Sequence, residues 1–214
     1  TRNGSDIEDL HKMRVATRRM RSLLKSTKNY YDPNRIQTLR TDLRQLGHLL
    51  GEVRDMDTLV LFLERSFPQF PQPVQDTILK LIGECLLIRG KKLEELNQEL
   101  SGSWYSNLKQ AIDVFLREHT EDEKEQPPVY SVVPSLIENH YDKVLTKREG
   151  IQEASLEDLH RLRIYFKRLR YLCEFFSVCY GKSLKELIEE FIEFQDVLGD
   201  VQDYYRQSHF LQTI

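Results

Sequence analysis

The sequence predicts an all-α protein, and three observations support this class. Apolar residues recur every three or four positions over long segments, as at Leu39, Leu43, Leu46 and Leu50, which is the spacing of one helical face. No segment alternates apolar and polar residues with the period of two that marks a strand. Glycine and proline are scarce and stand mainly where the periodic segments end. We therefore expect helices joined by short turns.

The helical pattern divides into seven segments. Asp6 is the expected N-cap of the first, because its carboxylate can accept a hydrogen bond from an amide of the first turn. The stretch "YYDPN" at 30–34 predicts a turn, and "FPQFPQP" at 67–73 predicts a break between helices. The expected helical ranges are 7–29, 35–65, 74–100, 104–118, 131–148, 155–178 and 184–212.

An internal repeat relates the two halves of the chain. The segment "EDLHKMRVATRRMR" at 8–21 returns as "EDLHRLRIYFKRLR" at 157–170. Further along, "LRQLGHLLGEVRDMD" at 43–57 returns as "FIEFQDVLGDVQDYY" at 191–205. Each half therefore joins a basic helix to a long helix. Duplicated helical hairpins of this kind usually bury their apolar stripes as bundles, so we expect two pseudo-symmetric helical-bundle repeats.

The repeat also sets the expected domain boundaries. The acidic, proline-ended stretch at 120–128 is the predicted linker between a first bundle repeat at 1–119 and a second at 129–214. Helices present in one half lack counterparts in the other, so we expect a chain trimmed at both ends relative to two whole repeats. Gly51 and Gly199 stand at matching positions and each cost a helix about 1 kcal/mol relative to alanine. We expect them to allow a close approach between helices.

The net charge of −3 conceals a strong segregation of charge. Residues 11–28 include seven lysines and arginines and no acidic residue, whereas acidic residues collect at 94–99, 118–126 and 185–193. The local field rather than the net charge decides what a surface attracts. The basic segment must therefore meet an anion, either within the protein or outside it.

Several classes of protein are disfavoured by the composition. Three cysteines without a Cys-x-x-Cys pair argue against a disulfide scaffold or a zinc site and favour a reducing, cytoplasmic compartment. No apolar run approaches the roughly 20 residues that span a bilayer, and no signal-peptide pattern opens the chain, so we expect a soluble protein. No G-x-x-x-x-G-K-[ST] loop is present, so nucleotide hydrolysis is not supported.

The cations of each basic helix share one sector of a helical wheel, and we expect the apolar residues to lie on the opposite side, facing the core. Such cations recur roughly every 5 Å along a helix, which suits a long polyanion with closely spaced charges. Arginine binds phosphate oxygens bidentately, and histidine can add a donor. The expected core-facing residues of the first copy are Leu10, Met13, Ala16, Met20 and Leu24. The candidate binding residues are His11, Arg14, Arg18, Arg19, Arg21, Lys25, His160, Arg163, Lys167, Arg168 and Arg170.

Some basic residues allow a second interpretation. Arg19 and Arg168 lie off the main sector, nearer the apolar edge, and could instead form ion pairs. The carboxylates considered for that pairing are Asp55, Asp203, Glu52 and Asp200. Whether further basic residues join the site stays open from the sequence; these are Arg40, Arg44, His48, His140, Lys143 and Lys147.

The segments "HKMRVATRRMRSLLK", "LHRLRIYFKRLRYLCEFF" and "FQDVLGDVQD" resemble the CHAD domain, the conserved-histidine α-helical domain. The likeness covers nearly the whole chain. It implies two pseudo-symmetric four-helix bundles with basic residues lining a central groove or pore. It also implies binding of inorganic polyphosphate, association with polyphosphate granules, and a link to CYTH-type triphosphate-processing enzymes.

The resemblance assigns the histidines of the family to His11 and His160, each followed by basic partners. Two positions depart from a symmetrical pattern. Lys167 stands where the first copy has Arg18, and Glu174 stands where the first copy has Lys25. The second half is therefore less basic than the first.

We expect a non-catalytic polyphosphate-binding module, with no catalytic residue, metal or cofactor. One alternative is a metal-dependent phosphohydrolase that uses the two repeated histidines with carboxylates of the long helices as ligands. Arginines around each histidine would repel a metal cation. Another alternative is a nucleic-acid-binding protein, but the interleaved aromatic residues that stack on bases occur in only one copy. The phosphohydrolase ligands considered are His11, His160, Glu52, Asp55, Asp200 and Asp203.

Overall fold

The computed structural model describes residues 7–117, 127–148 and 151–213, with the side chains of residue 183 and of residues 200–213 outside the description. Within this part of the chain the structure is helical and contains no strand, which confirms the all-α class. No described helix combines the length and the apolarity needed to cross a membrane. The seven helices are α1 (Ile7–Ser26), α2 (Pro33–Ser66), α3 (Gln72–Ser101), α4 (Ser103–Arg117), α5 (Val129–Arg148), α6 (Leu156–Tyr180) and α7 (Lys182–Thr213).

The chain divides into two compact units, Thr1–Glu121 and Asp122–Ile214. In the first unit, α2 packs against α1 on one side and α3 on the other, and α4 closes on α3 and α2. In the second unit, α6 packs against both α5 and α7. Each basic helix of the sequence repeat, α1 or α6, is therefore in direct contact with the long helix that follows it.

Local signals explain where the helices begin. Asp32 caps α2 by accepting a hydrogen bond from the backbone amide of Arg35 at 2.9 Å, and Pro33 occupies the first helical position, where no amide is needed. Ser155 and Asp158 form a capping box at the start of α6. The hydrogen bonds from Ser155 lower the pKa of the Asp158 carboxyl. The expected N-cap of α1, Asp6, lies outside the described residues.

The core of the first unit is built around α2. Its buried face carries Leu43, Leu46, Leu50 and Val53 in the predicted three/four spacing, and Leu10 of α1 packs against it. Burying one such side chain contributes about 1.5–3 kcal/mol relative to leaving it in water. This packing fixes the rotation of α1 relative to α2, and hence the direction in which the α1 cations point.

The second unit has a separate core between α6 and its two neighbours. Leu169 and Cys173 of α6 are fully buried, and Phe191 of α7 packs against them. Burial raises the pKa of the Cys173 thiol to about 11, so this cysteine behaves as a small apolar residue. Both predicted basic helices are thus anchored by buried apolar residues.

One buried ion pair ties α3 to α2 in the first unit. Arg89 of α3 donates from Nε to Oδ1 of Asp57, whose side chain is 1% exposed. Removing one member of such a pair leaves a charge buried without its partner, which usually costs about 3–5 kcal/mol. An exposed pair such as Arg117 with Asp113 typically contributes about 0–1 kcal/mol.

We therefore expect Arg89→Met to lower the free energy of unfolding by about 3–5 kcal/mol, measured by urea denaturation. Arg117→Met is the matched control and should change it by less than about 1 kcal/mol. The double variant Asp57→Leu/Arg89→Met should recover most of the loss, because no unpaired carboxylate stays buried. Equal effects of Arg89→Met and Arg117→Met would contradict a structural role for the buried pair.

Candidate functional site

The structure confirms the predicted core side of α1 at four of its five positions, because Leu10 and Leu24 are buried and Met13 and Met20 pack against the core. The fifth, Ala16, is exposed, and Thr17 is buried instead. The Thr17 hydroxyl is satisfied because it donates to the carbonyl of Met13 at 2.8 Å. The prediction for Ala16 is therefore wrong.

Two arginines of α1 lie over glycines of α2. A Cβ atom added at Gly47 would lie 3.2 Å from Nη1 of Arg21, and one added at Gly51 would lie 3.9 Å from Nε of Arg14. The absence of side chains at these positions leaves space for the guanidinium groups. Gly51 was expected to allow a close approach between helices, and the group that lies against it is the Arg14 side chain. Gly47 was not identified from the sequence.

A cluster of arginines forms where α1 meets α2. The pKa of Arg21 is lowered by burial and by the positive charges of Arg44 and Arg40 on α2. Arg40 and Arg44, left open by the sequence, thus lie beside the predicted site. Within the described residues, no carboxylate is within ion-pair distance of Arg14, Arg21, Arg40 or Arg44. We call these four residues the arginine cluster.

The nearby carboxylates are engaged elsewhere. Glu52 pairs with Lys92 of α3 at 3.1 Å, and Asp42 accepts a hydrogen bond from the Trp104 indole at 3.3 Å. Asp55, the other first-half carboxylate considered for Arg19, is exposed. The acidic residues of α2 that the structure accounts for therefore face α3 and α4 or solvent, and leave the arginine cluster without a neutralising partner.

The other predicted residues of α1 differ in exposure. Arg18 is half-buried, and Arg19 and Lys25 are exposed. His11 is half-buried, and its Nδ1 atom is buried without a hydrogen-bond partner in the described part of the chain. By helical spacing, His11, Arg18 and Lys25 share the sector of Arg14 and Arg21, whereas Arg19 lies off it.

The second unit repeats one contact of the first. A Cβ atom added at Gly199 of α7 would lie 3.3 Å from Nη2 of Arg163, just as Gly51 faces Arg14. His160 and Lys167 are half-buried on the same helix. Arg168 stacks with its guanidinium carbon 5.7 Å from the centre of the Tyr165 ring. An arginine over a helix glycine is therefore common to both units.

Charge distinguishes the two units. Arg170, which corresponds to Arg21, forms an ion pair with Glu174 at 3.5 Å and lies 5.3 Å from the Tyr171 ring centre. Counting back from Gly51 and Gly199, the positions of Arg40 and Arg44 are taken by Ile188 and Ile192, both in or against the core of the second unit. The second unit consequently has no equivalent of the arginine cluster among its described residues.

The remaining candidates that the sequence left open are His48, His140, Lys143 and Lys147. His140 has its Nδ1 atom 2.9 Å from the carbonyl of Leu136, and Lys143, Lys147 and His48 are exposed. The side chains of Asp200 and Asp203, considered as ion-pair partners or metal ligands, lie outside the described residues. Elsewhere in the described ranges, no group of three or more His, Cys, Asp or Glu side chains could hold a metal ion.

Comparison with known proteins agrees with the helical architecture. Residues 1–212 match the family model of the CHAD domain. The chain is 26% identical over 216 residues to an uncharacterized protein of Mycobacterium tuberculosis (strain CDC 1551 / Oshkosh), and the alignment covers 95% of this chain and 40% of that protein. The chain therefore spans well under half the length of this relative.

The fold is also similar to a crystal structure of the CHAD domain from the plant Ricinus communis. The TM-score is 0.76 and the sequence identity is 26%, and the match covers 97% of this chain and 69% of the plant chain. The family model and the structural likeness each extend over nearly the whole sequence. We conclude that this chain belongs to the CHAD domain family.

Proposed function

We propose that this chain binds inorganic polyphosphate and catalyses no reaction on it. The CHAD domain family is associated with polyphosphate binding in general. The observation that carries the proposal for this chain is the arginine cluster: Arg21 lies near Arg40 and Arg44, Arg14 precedes Arg21 by two turns of α1, and none of the four has a carboxylate at ion-pair distance in the described part of the molecule. A linear polyanion would supply the missing negative charge.

The electrostatics of Arg21 support an anionic ligand. Its pKa is lowered by burial, and then by the charges of Arg44 and Arg40. Positive charges that folding holds close together repel one another and disfavour the charged form of each. An anion bound among them would offset this repulsion, because it favours the charged forms. Each guanidinium group can donate two parallel hydrogen bonds to phosphate oxygens. This geometry favours the binding of phosphoryl groups over the binding of simple monovalent anions.

The spacing of the cations suits a repeating ligand. His11, Arg14, Arg18, Arg21 and Lys25 follow one another along α1 at intervals of three or four residues, or about 5 Å. Binding of this kind draws most of its free energy from neutralising closely spaced charges and releasing their counterions. We place this activity in the cytoplasm at polyphosphate granules, with a CYTH-type triphosphate-processing enzyme as a proposed partner.

The first test replaces charge in the arginine cluster. We expect Arg14→Gln/Arg21→Gln to weaken binding of long-chain polyphosphate by at least about tenfold, since each charge-assisted hydrogen bond contributes about 1.5–3 kcal/mol. Calorimetric titration at several salt concentrations measures both the affinity and its salt dependence. The variant should also show a shallower fall of affinity with salt, by roughly one phosphate contact for each arginine lost.

Arg117→Gln/Lys182→Gln is the control for net charge, because both side chains are exposed and each is paired with a carboxylate of its own helix. This control should bind polyphosphate as tightly as the unmodified chain. Equal weakening by the two double variants would show that only overall charge matters. Unchanged affinity after loss of Arg14 and Arg21 would refute the assigned site.

A second test addresses catalysis. We expect no release of orthophosphate when the chain is incubated with long-chain polyphosphate and Mg²⁺, Mn²⁺ or Zn²⁺ in turn, followed by a colorimetric phosphate assay. Release that depends on a metal and disappears in His11→Ala/His160→Ala would establish the phosphohydrolase alternative. Persistent binding without release is the outcome that the proposal requires.

A third test compares the two units. Arg170 is already paired with Glu174, and the second unit has isoleucines where the first has Arg40 and Arg44. We therefore expect Arg163→Gln/Arg170→Gln to weaken polyphosphate binding several-fold less than Arg14→Gln/Arg21→Gln in the same titration. Equal losses would show that the unneutralised cluster carries no extra affinity.

A further inference from the structure

A second surface of the first unit lies on α3, away from the basic face of α1. Leu79, Leu86 and Leu87 are 53%, 50% and 71% exposed, which is unusual for large apolar side chains on one helix. Gly83 and Gly90 lie between them, and a Cβ atom added at either would meet nothing within 4 Å. We call these five residues the α3 stripe.

The α3 stripe is separate from the side of α3 that packs on the unit. The core-facing residues of α3 are Ile78, Cys85 and Leu96, which lie about 80° or more around the helix from the stripe at about 100° per residue. The exposed leucines of the α3 stripe therefore do not belong to the core-facing side of the helix. Its residues form a continuous row over three turns of helix, at intervals of three and four residues.

The stripe has the shape of a receptor for a helix. Gly83, Leu86, Leu87 and Gly90 are spaced i, i+3, i+4 and i+7, which is the arrangement of four residues that forms one hole in knobs-into-holes packing. Because two of the four corners are glycines, the hole is wide and shallow. A leucine from a facing helix would fill it, and the stripe itself presents such a leucine at its centre, Leu87.

Charges beside the stripe indicate which helix faces it. Lys80, Glu84, Lys91 and Glu94 follow one another along one flank, so that their signs alternate. In an antiparallel pair of α3 helices centred on Leu87, Lys80 of one copy lies near Glu94 of the other, and Glu84 lies near Lys91. None of the four makes an ion pair within the described part of its own chain.

We infer that a second copy of this chain docks on the α3 stripe, as an antiparallel, two-fold symmetric helix pair. The partner's Leu87 enters the hole formed by Gly83, Leu86, Leu87 and Gly90, and the reciprocal contact is identical by symmetry. Four ion pairs, two of each kind, border the contact and set its direction. A contact of one helix pair is smaller than a standard interface, so the dimer should be weak and concentration-dependent.

The test is the mass of the 214-residue chain in solution, without polyphosphate so that no ligand can bridge two copies. Sedimentation equilibrium over a range from micromolar to several hundred micromolar should show a rise from 25.5 kDa towards twice that mass. Leu87→Glu should abolish the rise, because two carboxylates would meet at the symmetry axis. Leu116→Glu is the matched control, since Leu116 of α4 is 72% exposed, and it should associate like the unmodified chain.

Charge reversal tests the direction of pairing. Lys80→Glu should weaken association at least several-fold, and Lys80→Glu/Glu94→Lys should restore it, because each reversed residue then meets its reversed partner in the other copy. A chain that remains at 25.5 kDa at every concentration overturns the inference and leaves the stripe to another occupant. Association that survives Leu87→Glu, or a double reversal that restores nothing, also overturns it.

Discussion

The packing of arginine guanidinium groups over glycines of a neighbouring helix is the constraint on which the candidate site depends. Arg14 lies over Gly51 and Arg21 over Gly47, and Arg163 lies over Gly199 in the second unit. A Cβ atom at Gly47 or Gly199 would crowd the guanidinium group, at 3.2 Å and 3.3 Å, whereas one at Gly51 would be in ordinary van der Waals contact with Arg14 at 3.9 Å. The apolar core sets the rotation of each basic helix, and the glycines then admit its arginines to the helix contact instead of forcing them into solvent.

This arrangement explains how a chain with a net charge of −3 can present a strongly cationic surface. The carboxylates of α2 are held on its other sides, where Glu52 meets Lys92 and Asp57 meets Arg89. Three neighbouring positive charges therefore remain together at Arg21, Arg40 and Arg44. The second unit also has an arginine–glycine contact, but its Arg170 is neutralised by Glu174. The two units therefore share this helix contact and differ in the charge beside it.

Much of the fold could be predicted from the sequence, because long three/four apolar spacings and terminal prolines are local signals. The predicted helices match the observed ones within a few residues; the largest difference at a helix end is α1, which ends at Ser26, with a separate short turn at Lys28–Tyr30. The burial of Thr17 in place of Ala16 could not be predicted, since the two residues differ little in apolarity and the choice between them depends on α2. For the same reason the proximity of Arg21 to Arg40 and Arg44 required the structure. The prediction of one surface shared by both basic helices stays a prediction.

The reliance of the cluster on arginine rather than histidine or lysine has a consequence for control of the site. Although its pKa is lowered, arginine keeps its charge throughout the range of pH found in cells. Mild acidification or alkalinisation would therefore leave the positive charge of the arginine cluster unchanged. A polyanion bound there, as proposed above, would be released by competing polyanions or by rising ionic strength rather than by a change in the charge of these four arginines.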